Sequence, residues 1–91
     1  VDAPTRIELL EAFPNPFNST TQFKYNLPHA MNIELSIYDI DGRRIHVLER
    51  GRKNAGNYNV VWQSESINSG CYFVRLTTPF EVKTDKVIKI R

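Results

Sequence analysis

From Phe23 onward the chain sets an apolar side chain at every second position, interrupts the pattern with turn residues, and repeats it. Phe23, Tyr25 and Leu27 share one parity, with Gln22, Lys24 and Asn26 between them, and Ile33, Leu35 and Ile37 alternate with Glu34, Ser36 and Tyr38. Tyr58, Val60 and Trp62 form a third set. Successive side chains of an extended strand point to opposite faces, so a period of two buries one face and wets the other. No window of a dozen residues keeps apolar side chains at i, i+3, i+4 and i+7 without a turn residue breaking it, so the reading is all-β. Cys71 to Leu76 is apolar on both parities apart from Arg75, the pattern of a more central strand. Phe80, Val82, Ile88 and Ile90 share even parity, which predicts a long or bent last strand.

Turn chemistry falls at short intervals: Pro14-Asn15-Pro16, Leu27-Pro28, Asp41-Gly42, Ala55-Gly56-Asn57, Ser69-Gly70 and Thr78-Pro79. Asp41-Gly42 is the sharpest hairpin signal and predicts a type I′ turn joining antiparallel strands near 33–39 and 43–50. In the second of these, Ile45 and Val47 share parity but Leu48 does not, so either a β-bulge switches the face or the strand stops near Leu48; the bulge is favoured. The strands run from Ile7 to Phe13, Thr21 to Leu27, Asn32 to Asp39, Arg43 to Arg50, Asn57 to Trp62, Gly70 to Thr77 and Phe80 to Ile90. About seven short strands in a chain of this length predict an immunoglobulin-like antiparallel β-sandwich. Its expected core is Phe23, Tyr25, Leu35, Ile37, Tyr58, Val60, Trp62, Val74 and Leu76. Residues 1–6 read as the remnant of a linker and 7–91 as one domain. A start at Val1-Asp2-Ala3-Pro4, without an initiator Met, reads as a piece of a longer polypeptide.

Composition narrows the function. Twelve Lys and Arg against ten Asp and Glu leave a net charge of +2, too weak a field to argue for nucleic acid or an anionic membrane. No apolar run reaches the roughly 20 residues of a membrane-spanning helix, and no signal peptide opens the chain. The single cysteine, Cys71, cannot close an internal disulfide, has no zinc-ligand spacing, and reads as a small apolar side chain on a strand.

No catalytic constellation emerges either. Hydrolysis by a nucleophile needs a Ser or Cys, a His and an orienting carboxylate in convergence. His29 follows a proline in a turn and His46 takes an outward strand position, so both read as surface histidines. Asp39-x-Asp41-Gly42 resembles the start of a calcium loop but lacks its later ligands, and a hairpin turn explains it better. The reading assigns no catalytic residue, metal ligand or cofactor. Arg43, Arg44, Arg50, Arg52 and Lys53 concentrate positive charge on one hairpin, where long basic side chains guard a sheet edge against aggregation. Phe13, Phe17, Tyr38, Tyr58 and Phe73 are the aromatic residues that could stack on a sugar or base; core packing is their default.

Six blocks in register are more specific. Ala12-Phe13-Pro14-Asn15-Pro16-Phe17-Asn18-Ser19-Thr20-Thr21 is followed by Lys24-Tyr25-Asn26-Leu27-Pro28 and Ile37-Tyr38-Asp39-Ile40-Asp41-Gly42-Arg43. Then come Ala55-Gly56-Asn57-Tyr58-Asn59-Val60-Val61-Trp62, Ser69-Gly70-Cys71-Tyr72-Phe73-Val74-Arg75-Leu76 and Lys86-Val87-Ile88-Lys89-Ile90-Arg91. From about Ile7 to Arg91 the chain resembles the type A C-terminal sorting domain of the type IX secretion system. Two departures stand out: Gln63-Ser64 replaces the Asp-Gly that often follows the tryptophan, and Cys71 stands where a β-branched residue is usual.

The resemblance implies a non-catalytic tag that follows an N-terminal cargo domain in the same chain. Such a tag passes through the periplasm, is read by the outer-membrane translocon and its associated processing proteins, and brings cargo to the cell surface or medium. Candidate recognition residues are Pro14, Asn15, Pro16, Asn18, Gly70, Tyr72, Lys83, Lys86, Lys89 and Arg91. For the proline block a rigid sandwich corner is an equal alternative, because Pro fixes φ and Asn bonds local backbone. For the lysines the alternative is ordinary edge charge. An exposed sheet edge that accepts a partner strand is a further candidate contact. The competing function is an accessory carbohydrate-binding or adhesive module of a secreted enzyme, for which a planar row of exposed aromatics would be the signature.

Overall fold

The structure, a computed structural model, describes residues 5–64 and 67–90. Seven strands form two antiparallel sheets: β1 (Glu8–Leu9), β2 (Thr20–Leu27), β3 (Met31–Tyr38), β4 (Arg44–Lys53), β5 (Gly56–Gln63), β6 (Gly70–Thr77) and β7 (Val82–Lys89). One sheet has the order β1-β2-β5 and the other β4-β3-β6-β7. No helix long and apolar enough to cross a membrane occurs among the described residues.

The period of two does what it predicts. Phe23, Tyr25 and Leu27 on β2 are fully buried, as are Leu35 and Ile37 on β3 and Val74 and Leu76 on β6. The register carries these side chains across the sheet in rows, Leu35 opposite Leu76 and Ile37 opposite Val74. Trp62 fills the space between the sheets, with its ring centroid 5.4 Å from Phe17, 6.1 Å from Phe23 and 6.2 Å from Tyr72. Tyr58 and Val60, expected in the core, pack against it half-buried because β5 is an edge strand.

Four local expectations change. The first strand is shorter than Ile7 to Phe13. Leu9 pairs with Tyr25 but Phe13 pairs with Gln22, so one extra residue interrupts the ladder where Ala12 turns into the core. The Asp41-Gly42 hairpin is not type I′, because Asp41 does not have positive φ and, of the two residues, only Gly42, at +87°, does. The Gly42 N–H donates to the Asp39 carbonyl at 3.0 Å, making a turn centred on Ile40-Asp41, and the glycine then reverses the backbone twist. The Asp39 carboxylate secures this turn by accepting the Asp41 N–H at 3.0 Å and the Arg43 N–H at 2.9 Å.

The fourth strand extends past Arg50 to Lys53 and carries two register shifts against β3, one of which skips Leu48. That is the expected bulge, with a second at Ile45. On β7 the even parity shared by Val82, Ile88 and Ile90 faces outward, and Phe80 lies exposed in the preceding turn. The inward positions are Lys83, Asp85, Val87 and Lys89, of which only Val87 is apolar.

Candidate functional site

The proline block and the last strand, far apart in sequence, meet at one end of the sandwich. The chain bends through Pro14-Asn15-Pro16, with cis peptide bonds before both prolines, and Asn15 and Phe17 lie against the outer edge of β7. The Asn15 side-chain amide donates to the Lys86 carbonyl at 3.1 Å and accepts the Ile88 N–H at 3.0 Å. Two residues on, the Phe17 N–H donates to the Ile88 carbonyl at 3.0 Å and the Ile90 N–H donates to the Phe17 carbonyl at 2.7 Å. The segment therefore acts as a short parallel strand in which a side chain supplies the first link.

Three more contacts lock the corner. Thr21, fully buried, donates its hydroxyl to the Pro14 carbonyl at 2.7 Å. Lys89 turns inward, 8% exposed, and its Nζ donates to the Asn18 carbonyl at 2.7 Å. Phe17 is 2% exposed and sits on Trp62. The Gln63-Ser64 departure also serves this end: Ser64 N–H and hydroxyl both donate to the Ser19 carbonyl, at 2.9 and 3.2 Å. What remains on the outside is Phe13, 75% exposed, together with Pro14, Asn15, Pro16, Asn18 and Lys86.

The sequence-derived candidates thus divide. Pro14, Asn15, Pro16 and Asn18 form one surface with Lys86. Lys83 is half-buried and ion-paired with Glu81 at 3.2 Å at the far end of β7, and Lys89 is enclosed, so the lysines make no common cationic face. Arg91 lies outside the described residues. Gly70 and Tyr72 belong to the scaffold: Gly70 starts β6 at φ +151°, which a side chain would strain, and Tyr72 donates its hydroxyl to the Asn68 carbonyl at 2.7 Å.

That last contact has a twin that sequence reasoning passes over. Tyr58 donates to the Asn54 carbonyl at 2.6 Å, again four residues back, across Gly56 at φ +149°. The shared signal is Asn-x-Gly-x-Tyr at 54–58 and 68–72, in which the glycine turns the chain and the phenol ties it down. Phe13, Tyr38 and Phe73 also depart from the core default. Phe13 is on the surface, and the other two lie half-buried on the outer face of the four-stranded sheet, with the Arg75 guanidinium 4.3 Å from the Tyr38 ring centroid.

The basic hairpin is largely neutralised within the fold. Arg43 pairs with Asp39 at 3.2 Å, and Arg44 and Arg50 flank Glu34 at 2.7 and 3.4 Å. Lys53 pairs with Glu49 at 2.9 Å. The Ser36 hydroxyl and Arg44 hold the Glu34 carboxyl below the usual range. The Arg43 N–H does the same for Asp39, and Glu49 raises Lys53. Burial, then the Glu49 carboxylate, pushes the Tyr25 phenol up. His29 rests edge-on against Phe80 and His46 is exposed on β4.

A search of curated proteins returns no match to this chain. The family model for the secretion system C-terminal sorting domain matches residues 11–90, from the residue before Ala12 to the end of the last strand. The match covers the proline block, both Asn-x-Gly-x-Tyr turns and β7, and the chain belongs to the type IX secretion system C-terminal sorting domain family.

Proposed function

We propose that the chain directs an attached N-terminal cargo domain from the periplasm through the outer-membrane translocon of the type IX system, by presenting the proline corner to a receptor protein. The tag performs no chemistry; processing proteins act on it after recognition. The observation that carries this reading is the corner itself. Its backbone groups are engaged by β7, while Phe13, Pro14, Pro16, Asn18 and Lys86 stay exposed. A surface that is ordered before it meets its partner loses little entropy on binding, which favours recognition by a receptor. A glycan-binding reading needs an exposed aromatic row, whereas of the exposed rings Phe13 bridges Gln22 of β2 and Phe80 lies in the turn before β7.

The test is export of a fluorescent reporter, directed to the periplasm and fused to residues 1–91, in a host with a working type IX system. Truncation before β7 would strip cover from the core along with any signal, so substitutions of exposed side chains are sharper. Phe13→Ser with Lys86→Glu should retain the reporter in the periplasm while the domain stays folded. Arg52→Glu, exposed on the β4 edge of the four-stranded sheet, should leave export intact. Export of the folded corner variant at the wild-type level overturns the reading.

A further inference from the structure

Unpaired strand edges invite pairing with other chains, and folded proteins blunt them. Three of the four edges here are blunted. β1 is two residues long, and β4 carries two register shifts with Arg44, Arg50, Arg52 and Lys53. The end of β7 is closed by Asn15 and Phe17, and the Lys86 N–H by the Asp85 carboxylate at 2.9 Å. The fourth edge, β5, has none of these devices. Its eight residues include no charge and no proline, and they pair with β2 without a shift in register.

The side of β5 left open follows from the phase of the ladder. Ser64 donates to Ser19, and on the opposite side of β2 the groups of Gln22 and Lys24 bond towards the first strand segment. Alternation then turns the backbone groups of Gly56, Tyr58, Val60 and Trp62 to β2, and those of Asn57, Asn59, Val61 and Gln63 outward. Among the described residues these outward groups have no backbone partner.

We propose that the open edge of β5 pairs antiparallel with β5 of a second copy of this chain, joining two three-stranded sheets into one of six. A two-fold axis through Val60 sets Asn57 opposite Gln63 and Asn59 opposite Val61, each pair exchanging backbone hydrogen bonds in both directions. On the inner face Tyr58 meets Trp62 and Val60 meets Val60. No charge faces a like charge, which a β4–β4 pairing could not avoid. The β4 side chains nearest β5 also cancel, since Lys53 pairs with Glu49 and lies 5.9 Å from the Tyr58 ring centroid. Pairing would cover Val61, 53% exposed. Among the described residues β1 is the first strand and lies at the opposite edge of that sheet from β5. This pairing does not rest on the sorting reading, because its surface lies apart from the proline corner.

Sedimentation equilibrium of the 91-residue chain from about 1 to about 500 μM covers the range in which a micromolar pairing appears. The expected result is a reversible dimer, abolished over that range by Asn59→Pro, which removes an outward N–H and leaves the β2 ladder complete. Val61→Lys, on an exposed side chain, should do the same if proline disturbs the fold. In a Cys71→Ser background, Val60→Cys should cross-link to itself under mild oxidation and Gln63→Cys should not. A chain monomeric throughout the range overturns the proposal. So does a dimer that survives both edge substitutions, or one that cross-links equally at both cysteines.

Discussion

Asn15 Oδ1 accepts the Ile88 N–H at 3.0 Å while Nδ2 of the same amide donates to the Lys86 carbonyl at 3.1 Å, so a side chain takes the place of a peptide group on a sheet edge. Asn15→Ala should cost about 1–2 kcal/mol in urea unfolding, near the net value of two hydrogen bonds. The Ile88 amide should lose hydrogen-exchange protection while the β3–β6 ladder keeps its own. Equal loss across both ladders would mean that the corner is not a local clasp.

Phe17 couples the corner to the core. It is 2% exposed and stands 5.4 Å from Trp62 between ring centroids. Phe17→Ala should destabilise by about 3–5 kcal/mol, the range for emptying a buried aromatic site. Trp62 emission should shift towards the red in the folded state, where water gains access to the ring.

The two tyrosine turns differ in burial, and that sets the size of the effect. Tyr72→Phe leaves the Asn68 carbonyl without its partner in a part-buried setting, and should cost about 1–3 kcal/mol. Tyr58→Phe breaks an exposed bond whose carbonyl water can reach, and should cost less, about 0.5–1 kcal/mol. Thermal or urea unfolding of the two variants side by side decides the order.

The Asp39 carboxyl is held below the usual range chiefly by the Arg43 N–H, with the Asp41 N–H and the Arg43 guanidinium adding to it. A group whose folded value is depressed stabilises the fold above its unfolded value, near ~3.9, and that contribution disappears as pH falls through the folded value. Asp39→Asn should therefore be less stable than wild type at pH 7, and the gap should close in acid. A gap that stays constant from pH 7 down to about pH 2, well below the unfolded value, would show that the carboxylate charge plays no part.

Alternation alone makes the strands legible, because burial on one face leaves a mark at every second residue. Phe23, Tyr25, Leu35, Ile37, Val74 and Leu76 can be placed in the core from spacing. The face of β7 cannot be read this way. Its inward positions hold Lys83, Asp85 and Lys89, whose polar ends find partners or solvent at the edge of the sandwich, while Ile88 and Ile90 point away from the core. Nor does local sequence reveal what Asn15 bonds to, since the groups it satisfies lie on a strand far along the chain. The proline block can be recognised as a corner from its residues, but the wall it leans on appears only in three dimensions. The hairpin at Asp41-Gly42 shows the same limit at short range: a dipeptide can announce a turn, but the loop length chooses which turn forms.

Residues 15 and 88 leave the ribosome 73 positions apart. A ribosome that stalls before Lys86 releases a chain that carries the proline block but has no edge for it to clasp. If the proposed receptor reads the closed corner, such a product would not be recognised, and the clasp would act as a seal of completeness.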